Sequence, residues 1–146
     1  MNENMTVAEG DEICTFTLDG VKCGVLTCND LKFPEPSREI ALRGAEMLFV
    51  PSAWPDKVMF RLHPLVQVRA IENQMFVINC NTCSKTSKKV NGGGSTVVAP
   101  FGQVLAKAGS GEEIFSCVCD LGEVQTVRAN GQHFVERRRP ELYKNL

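Results

Sequence analysis

The residues with the clearest capacity for chemistry lie in one stretch, Val25-Leu26-Thr27-Cys28-Asn29-Asp30-Leu31-Lys32-Phe33-Pro34-Glu35. An apolar run breaks there and gives way to a polar, proline-marked segment suited to a helix start. A cysteine at such a strand-to-helix bend is held by rigid backbone and presented at the mouth of a sheet. Its thiol can act as a nucleophile where a base or a positive field favours the thiolate. Two further thiol pairs stand out by spacing, Cys80-Asn81-Thr82-Cys83 and Cys117-Val118-Cys119. Four thiolates could surround a tetrahedral zinc ion. A redox C-x-x-C normally opens a helix, however, and this one follows a strand-like run. Neither a metal nor a cofactor is assigned. His63 and His133 are isolated histidines without ligand spacing, and Gly92-Gly93-Gly94-Ser95 precedes a strand-like run and lacks the lysine of a phosphate-binding loop.

The chain that must position these groups has 146 residues, the size of one domain, and its 43% apolar and 23% charged composition is that of a globular protein. A formal net charge of -1 gives no basic excess for nucleic acid, and the clusters Lys88-Lys89 and Arg137-Arg138-Arg139 are local. No apolar run approaches the ~20 residues that span a bilayer. The first residues show no signal peptide. Seven cysteines is an odd number, and Cys23, Cys80, Cys117 and Cys119 have apolar neighbours. They read as reduced, buried thiols of a cytoplasmic protein.

Residues 13–18 and 21–28 read as strands joined by Asp19-Gly20, a dipeptide suited to a tight hairpin. A helix is expected from the Pro36-Ser37 cap to about Ala45, then a strand at Met47-Leu48-Phe49-Val50. Pro64 suits the first position of a helix over 64–73. Strands follow at 75–80, 95–99 and 104–106, and residues 112–120 read as another, with Ile114, Cys117 and Val118 apolar. A short helix over 123–129 and an extended tail with Tyr143 as a possible anchor complete the order. The fold class is α/β, with helices against a mixed sheet.

In this frame Thr27 to Glu35 resembles the nucleophile motif of the nitrilase superfamily, the carbon–nitrogen hydrolases. The similarity continues in register through Arg43 to Trp54, Arg69 to Gln74 and Gly93 to Gly102. Arg138-Arg139-Pro140-Glu141-Leu142-Tyr143 is similar to the tail of the ω-amidase-like branch. The resemblance covers about residues 3–143. It implies a single partial domain over 1–146, the C-terminal half of an α-β-β-α sandwich, with a mixed sheet and helices on one face.

The resemblance also implies a reaction. Cys28 would attack the carbon of a small-molecule amide or nitrile, and water would then hydrolyse the thioester. The backbone N–H of Asn29, next to the nucleophile, would be an oxyanion donor. Glu3 stands where a supporting carboxylate would fall, and Trp54, the only tryptophan, is expected at the pocket rim in contact with substrate or in the core. The family's general base and its lysine have no counterpart. Among the 27 residues before Cys28 the only lysine is Lys22, and six residues of strand span about 20 Å. The site is therefore expected to be incomplete, and the chain to form a homo-oligomer or to associate with a complementary half. The alternative is a non-catalytic remnant or interaction module of the same fold that pairs with another chain.

Overall fold

Six strands form one sheet in the order of the chain, β1-β2-β3-β4-β5-β6. The computed structural model describes residues 8, 10–86, 90–130 and 134–143. β1 (Thr15–Leu18) and β2 (Val21–Val25) form an antiparallel hairpin. Asp19 and Gly20 both take positive φ, 48° and 83°, the turn whose twist matches that of the flanking strands. β3 (Met47–Ser52) and β4 (Phe76–Asn81) run parallel to β2, whereas β5 (Thr96–Val98) and β6 (Val104–Lys107) add antiparallel at the other edge.

The two crossovers carry α1 (Pro34–Leu42) and α2 (Met59–Asn73), which cover one face of the sheet. Ile40, Leu48, Leu62, Val66 and Val77 are fully buried between them. α1 lies so close to β2 that a Cβ at Gly24 would stand 2.4 Å from Ile40 Cγ2. α3 (Gly122–Asn130) touches the opposite face at one end, with Val124 against Phe76 and Ala99. Gln74 Nε2 donates to Val127 O at 2.9 Å and Arg128 Nη2 to Ala45 O at 2.6 Å, fixing it there. Elsewhere that face is open, with Phe16 39% and Leu18 52% exposed.

The mixed sheet and its helical layer agree with expectation, but four local features do not. β2 stops at Val25, and a 3-10 turn over Cys28–Lys32 precedes α1. α2 begins at Met59, so Pro64 lies inside the helix. Leu62 and Val66, four apart, are both fully buried, and this burial extends the helix back past the proline. The carbonyl that Pro64 leaves unbonded belongs to Phe60, whose residue is 69% exposed, where solvent can replace the lost bond. Residues 113–120 form no strand. Of the four thiols expected to be buried only Cys23 is, while Cys80 and Cys117 are exposed and Cys119 is intermediate; all seven are free. Three of these four line a cavity on the uncovered side of the sheet, so apolar sequence neighbours did not confer burial. Among the described residues no helix is long and apolar enough to cross a membrane.

Candidate active site

Cys28 opens the 3-10 turn with φ of 45°, a left-handed conformation that costs a non-glycine residue about 1–2 kcal/mol. Local bonds hold it there. Thr27 N–H donates to Asp30 Oδ2 at 2.9 Å, and Asp30 N–H donates back to Thr27 O at 3.0 Å. Lys32 Nζ donates to Asn29 Oδ1 at 2.6 Å. Behind the turn stands Arg69 of α2, only 4% exposed. Its Nε donates to Leu31 O at 3.2 Å and its Nη2 to Lys32 O at 3.3 Å, while Nη1 pairs with Glu72 Oε1 at 2.7 Å. The Arg69–Glu72 ion pair thus grips the last carbonyls of the Cys28 turn.

The site lies beyond the C-terminal ends of β2, β3 and β4, where an open sheet of parallel strands leaves a crevice. A cavity of about 270 Å³ there is lined by Cys28, Asn29, Lys32, Trp54 and Arg61, among others. Asn29 N–H donates to no backbone carbonyl among the described residues, as an oxyanion donor requires. Trp54 is 4% exposed, with the Lys32 ammonium 5.4 Å from its ring centroid. Its backbone N–H donates to Asn81 Oδ1 at 2.7 Å, and Asn81 Nδ2 donates in turn to Gly93 O at 2.7 Å. A buried asparagine at the end of β4 therefore fixes the tryptophan loop.

The fold brings Cys28, Asn29 and Trp54 together, whereas Glu3 lies outside the described residues, as do Lys88, Lys89 and His133. Sequence reasoning missed Lys32 and Arg61 at the cavity. Lys32 had a usable signal, its place one turn after the cysteine. Arg61 was hidden because Pro64 was read as the start of the helix. Among the described residues no carboxylate or imidazole lines the cavity. Lys22 pairs with Thr17 toward the far end of β2, away from the thiol.

The other thiols do not assemble into a second centre. Cys80 and Cys83 line different cavities. Burial, then the neighbouring Cys117, pushes the Cys119 thiol up to about 11, so it stays protonated and unreactive near neutrality. Among the described residues no group of three or more His, Cys, Asp or Glu side chains is placed to hold a metal ion.

This geometry has counterparts among known proteins. The profile of the carbon-nitrogen hydrolase family matches residues 1–129. The 2-oxoglutaramate amidase of Bacillus subtilis is 37% identical over 98% of this chain and 55% of its own length. Nit3 of Saccharomyces cerevisiae, a member of branch 10 of the nitrilase superfamily, superposes with a TM-score of 0.85 at 32% identity, covering 94% of this chain and 51% of that one. A mutant of the amidase from Nesterenkonia sp. AN1, with the acetamide moiety of fluoroacetamide added covalently at its active-site cysteine, superposes with a TM-score of 0.80 at 28% identity, over 95% and 49% of the two chains. The chain spans about half the length of the curated relatives it matches.

Proposed function

The chain belongs to the carbon–nitrogen hydrolase family, within the ω-amidase-like branch of the nitrilase superfamily, and we propose that it is the nucleophile-bearing half of an amidase acting on small molecules. The observation that carries this reading is Cys28 itself, strained into positive φ in the turn just after β2, beside a cavity and an uncommitted Asn29 N–H. In the reaction the Cys28 thiolate attacks the amide carbon, and the resulting oxyanion accepts a hydrogen bond from Asn29 N–H. The C–N bond breaks, the nitrogen takes a proton and leaves as ammonia, and water splits the thioester to a carboxylic acid and the free thiol. Trp54 forms a wall for the substrate. Nitriles are the second substrate class.

The general base and the lysine that would stabilise the tetrahedral intermediate are assigned to a complementary half, with Glu3 as a supporting carboxylate. The cavity lining supports this assignment, since among the described residues it offers two cations but no carboxylate or imidazole to accept a proton from the thiol. The substrate class is taken from the relatives, with 2-oxoglutaramate as the first compound to try. Seven free thiols suit a reducing compartment such as the cytoplasm. The open sheet face supports association with that half or, without it, self-association.

Two measurements test the reading together. The chain alone should be alkylated at Cys28 by fluoroacetamide, yet release no ammonia from 2-oxoglutaramate. Supplied with a complementary half it should release ammonia, and Cys28→Ala should abolish both signals. Turnover by the chain alone would overturn the split site. Assembly without any ammonia release would instead favour the interaction-module reading.

A further inference from the structure

The run Gly92-Gly93-Gly94 takes no part in the chemistry at Cys28, yet all three residues are buried. Their backbone lies alongside the loop after β3, which walls the Cys28 cavity with Ala53, Trp54 and Pro55. Gly92 N–H donates to Trp54 O at 3.1 Å and Asp56 N–H to Val90 O at 3.0 Å, so that Pro55 and Asn91 form a bridge between them. Asn81 closes the other side, accepting from Trp54 N–H and donating to Gly93 O, both at 2.7 Å. The run is itself held from behind, by Gly93 N–H on Thr82 O at 3.1 Å and Gly94 N–H on Gly109 O at 2.8 Å.

Only glycine permits so close an approach. A Cβ at residue 92 would stand 2.4 Å from Met59 Cγ, and one at residue 93, where φ is 58°, would stand 2.8 Å from Gly109 O. The indole has no comparable anchor. Trp54 Nε1 is buried without a hydrogen-bond partner among the described residues. The ring therefore stands where its backbone puts it.

We infer that residues 90–93 and Asn81 form a clasp that fixes Trp54 relative to Cys28, and that Asn81 and Gly92 are positioning residues that set the largest group admitted beside the thiol. The inference rests on the reading of the Cys28 cavity as an amide site. The wall is held at Trp54 and Asp56 by three main-chain bonds. It cannot retreat without breaking them together, so a bulky substrate meets a fixed limit rather than a yielding side chain. The cavity of about 270 Å³ is correspondingly small, below the roughly 300–1,000 Å³ of ordinary ligand pockets.

The test compares alkylation of Cys28 by iodoacetamide and by N-benzyliodoacetamide, each normalised to the exposed Cys14 of the same full chain. Emission of Trp54, the only tryptophan, is read alongside. The unsubstituted chain should disfavour the benzyl reagent at Cys28 by about tenfold. Asn81→Ala removes both side-chain bonds of the clasp, and should bring that ratio to within about twofold and shift Trp54 emission to longer wavelength in the folded state. Two further chains separate position from stability. Asp56→Pro deletes one clasp donor at the first residue of a 3-10 turn, a place that suits proline, and should lower the ratio while keeping its melt. Val124→Ala loosens the packing under α3, away from the clasp, and should keep the ratio and the emission of the unsubstituted chain. An unchanged ratio in Asn81→Ala and Asp56→Pro, unshifted emission in both, or the same fall in Val124→Ala would each overturn the inference. So would an unsubstituted chain that does not discriminate. A Cys28 that neither reagent reaches would refute the amidase reading and the inference with it, whereas a reactive Cys28 with an unchanged ratio overturns the inference alone.

Discussion

The two faces of the sheet are built from the same kinds of residue and differ in what lies on them. Under α1 and α2, Leu48, Val50, Val77 and Val98 are at most 1% exposed. On the other side Phe16 stacks on Phe49 at 6.2 Å between centroids and stays 39% exposed, with Leu18 at 52%. The Cys28 turn is braced from the covered side, by Leu31 in the core and by Arg69. The covered side can therefore hold Cys28 in its strained conformation. Among the described residues the cavity beside it offers no carboxylate or imidazole, and the open face leaves Phe16 and Leu18 bare. The comparison teaches that the residues that shape the Cys28 turn and those that would cover the far face of the sheet are set by different contacts.

The contrast can be broken most directly in the two cores. Leu62→Ala should cost about 2–5 kcal/mol in urea unfolding, whereas Leu18→Ala on the open face should stay within about 0.5 kcal/mol. Equal costs would abolish the distinction. Gly24→Ala should cost about 1–3 kcal/mol by driving a methyl into Ile40 Cγ2, and Ile40→Ala, which removes that carbon, should cost less in the Gly24→Ala chain than in the unsubstituted one. Arg69→Met leaves the carbonyls of Leu31 and Lys32 unpaired, at about 1–3 kcal/mol each. It should also change the alkylation rate of Cys28 relative to Cys14, which a purely global loss of stability would not do.

The strain at Cys28 sharpens the comparison at smaller scale. Cys28→Gly should melt higher than Cys28→Ala, by up to about 1 kcal/mol, because glycine takes positive φ freely. A separate effect is in pH. Cys119 keeps its proton to about pH 11 in the folded chain, against an ordinary value of 9.0. Between those values the unfolded state binds fewer protons, so stability should fall as pH rises from about 9 toward 11. Cys119→Ser should flatten that decline in a pH series of melts.

What the sequence made legible was local. Asp19-Gly20 fixes its turn by conformational preference, and Asp30 ties the Cys28 turn through a bond spanning three residues. What it hid depended on distant partners. The start of α2 is decided by burial of Leu62 against the core, which outweighs the proline signal. The strand expected at 112–120 is absent, since a ladder needs a neighbour that none of the described strands supplies. Arg61 reaches the cavity only because α2 begins early, and Asn81 matters only through a loop 27 residues away.

The grip of Arg69 on Leu31 also sets an order of events. The two residues are 38 positions apart, and closing a loop of that size carries an entropic cost that only docking of α2 offsets. A ribosome adding about 5–20 residues per second exposes the Cys28 turn seconds before the arginine that completes it is made. Pulse alkylation of nascent chains halted before and after Arg69 would then read the docking of α2 directly, with the nucleophile serving as the clock of its own assembly.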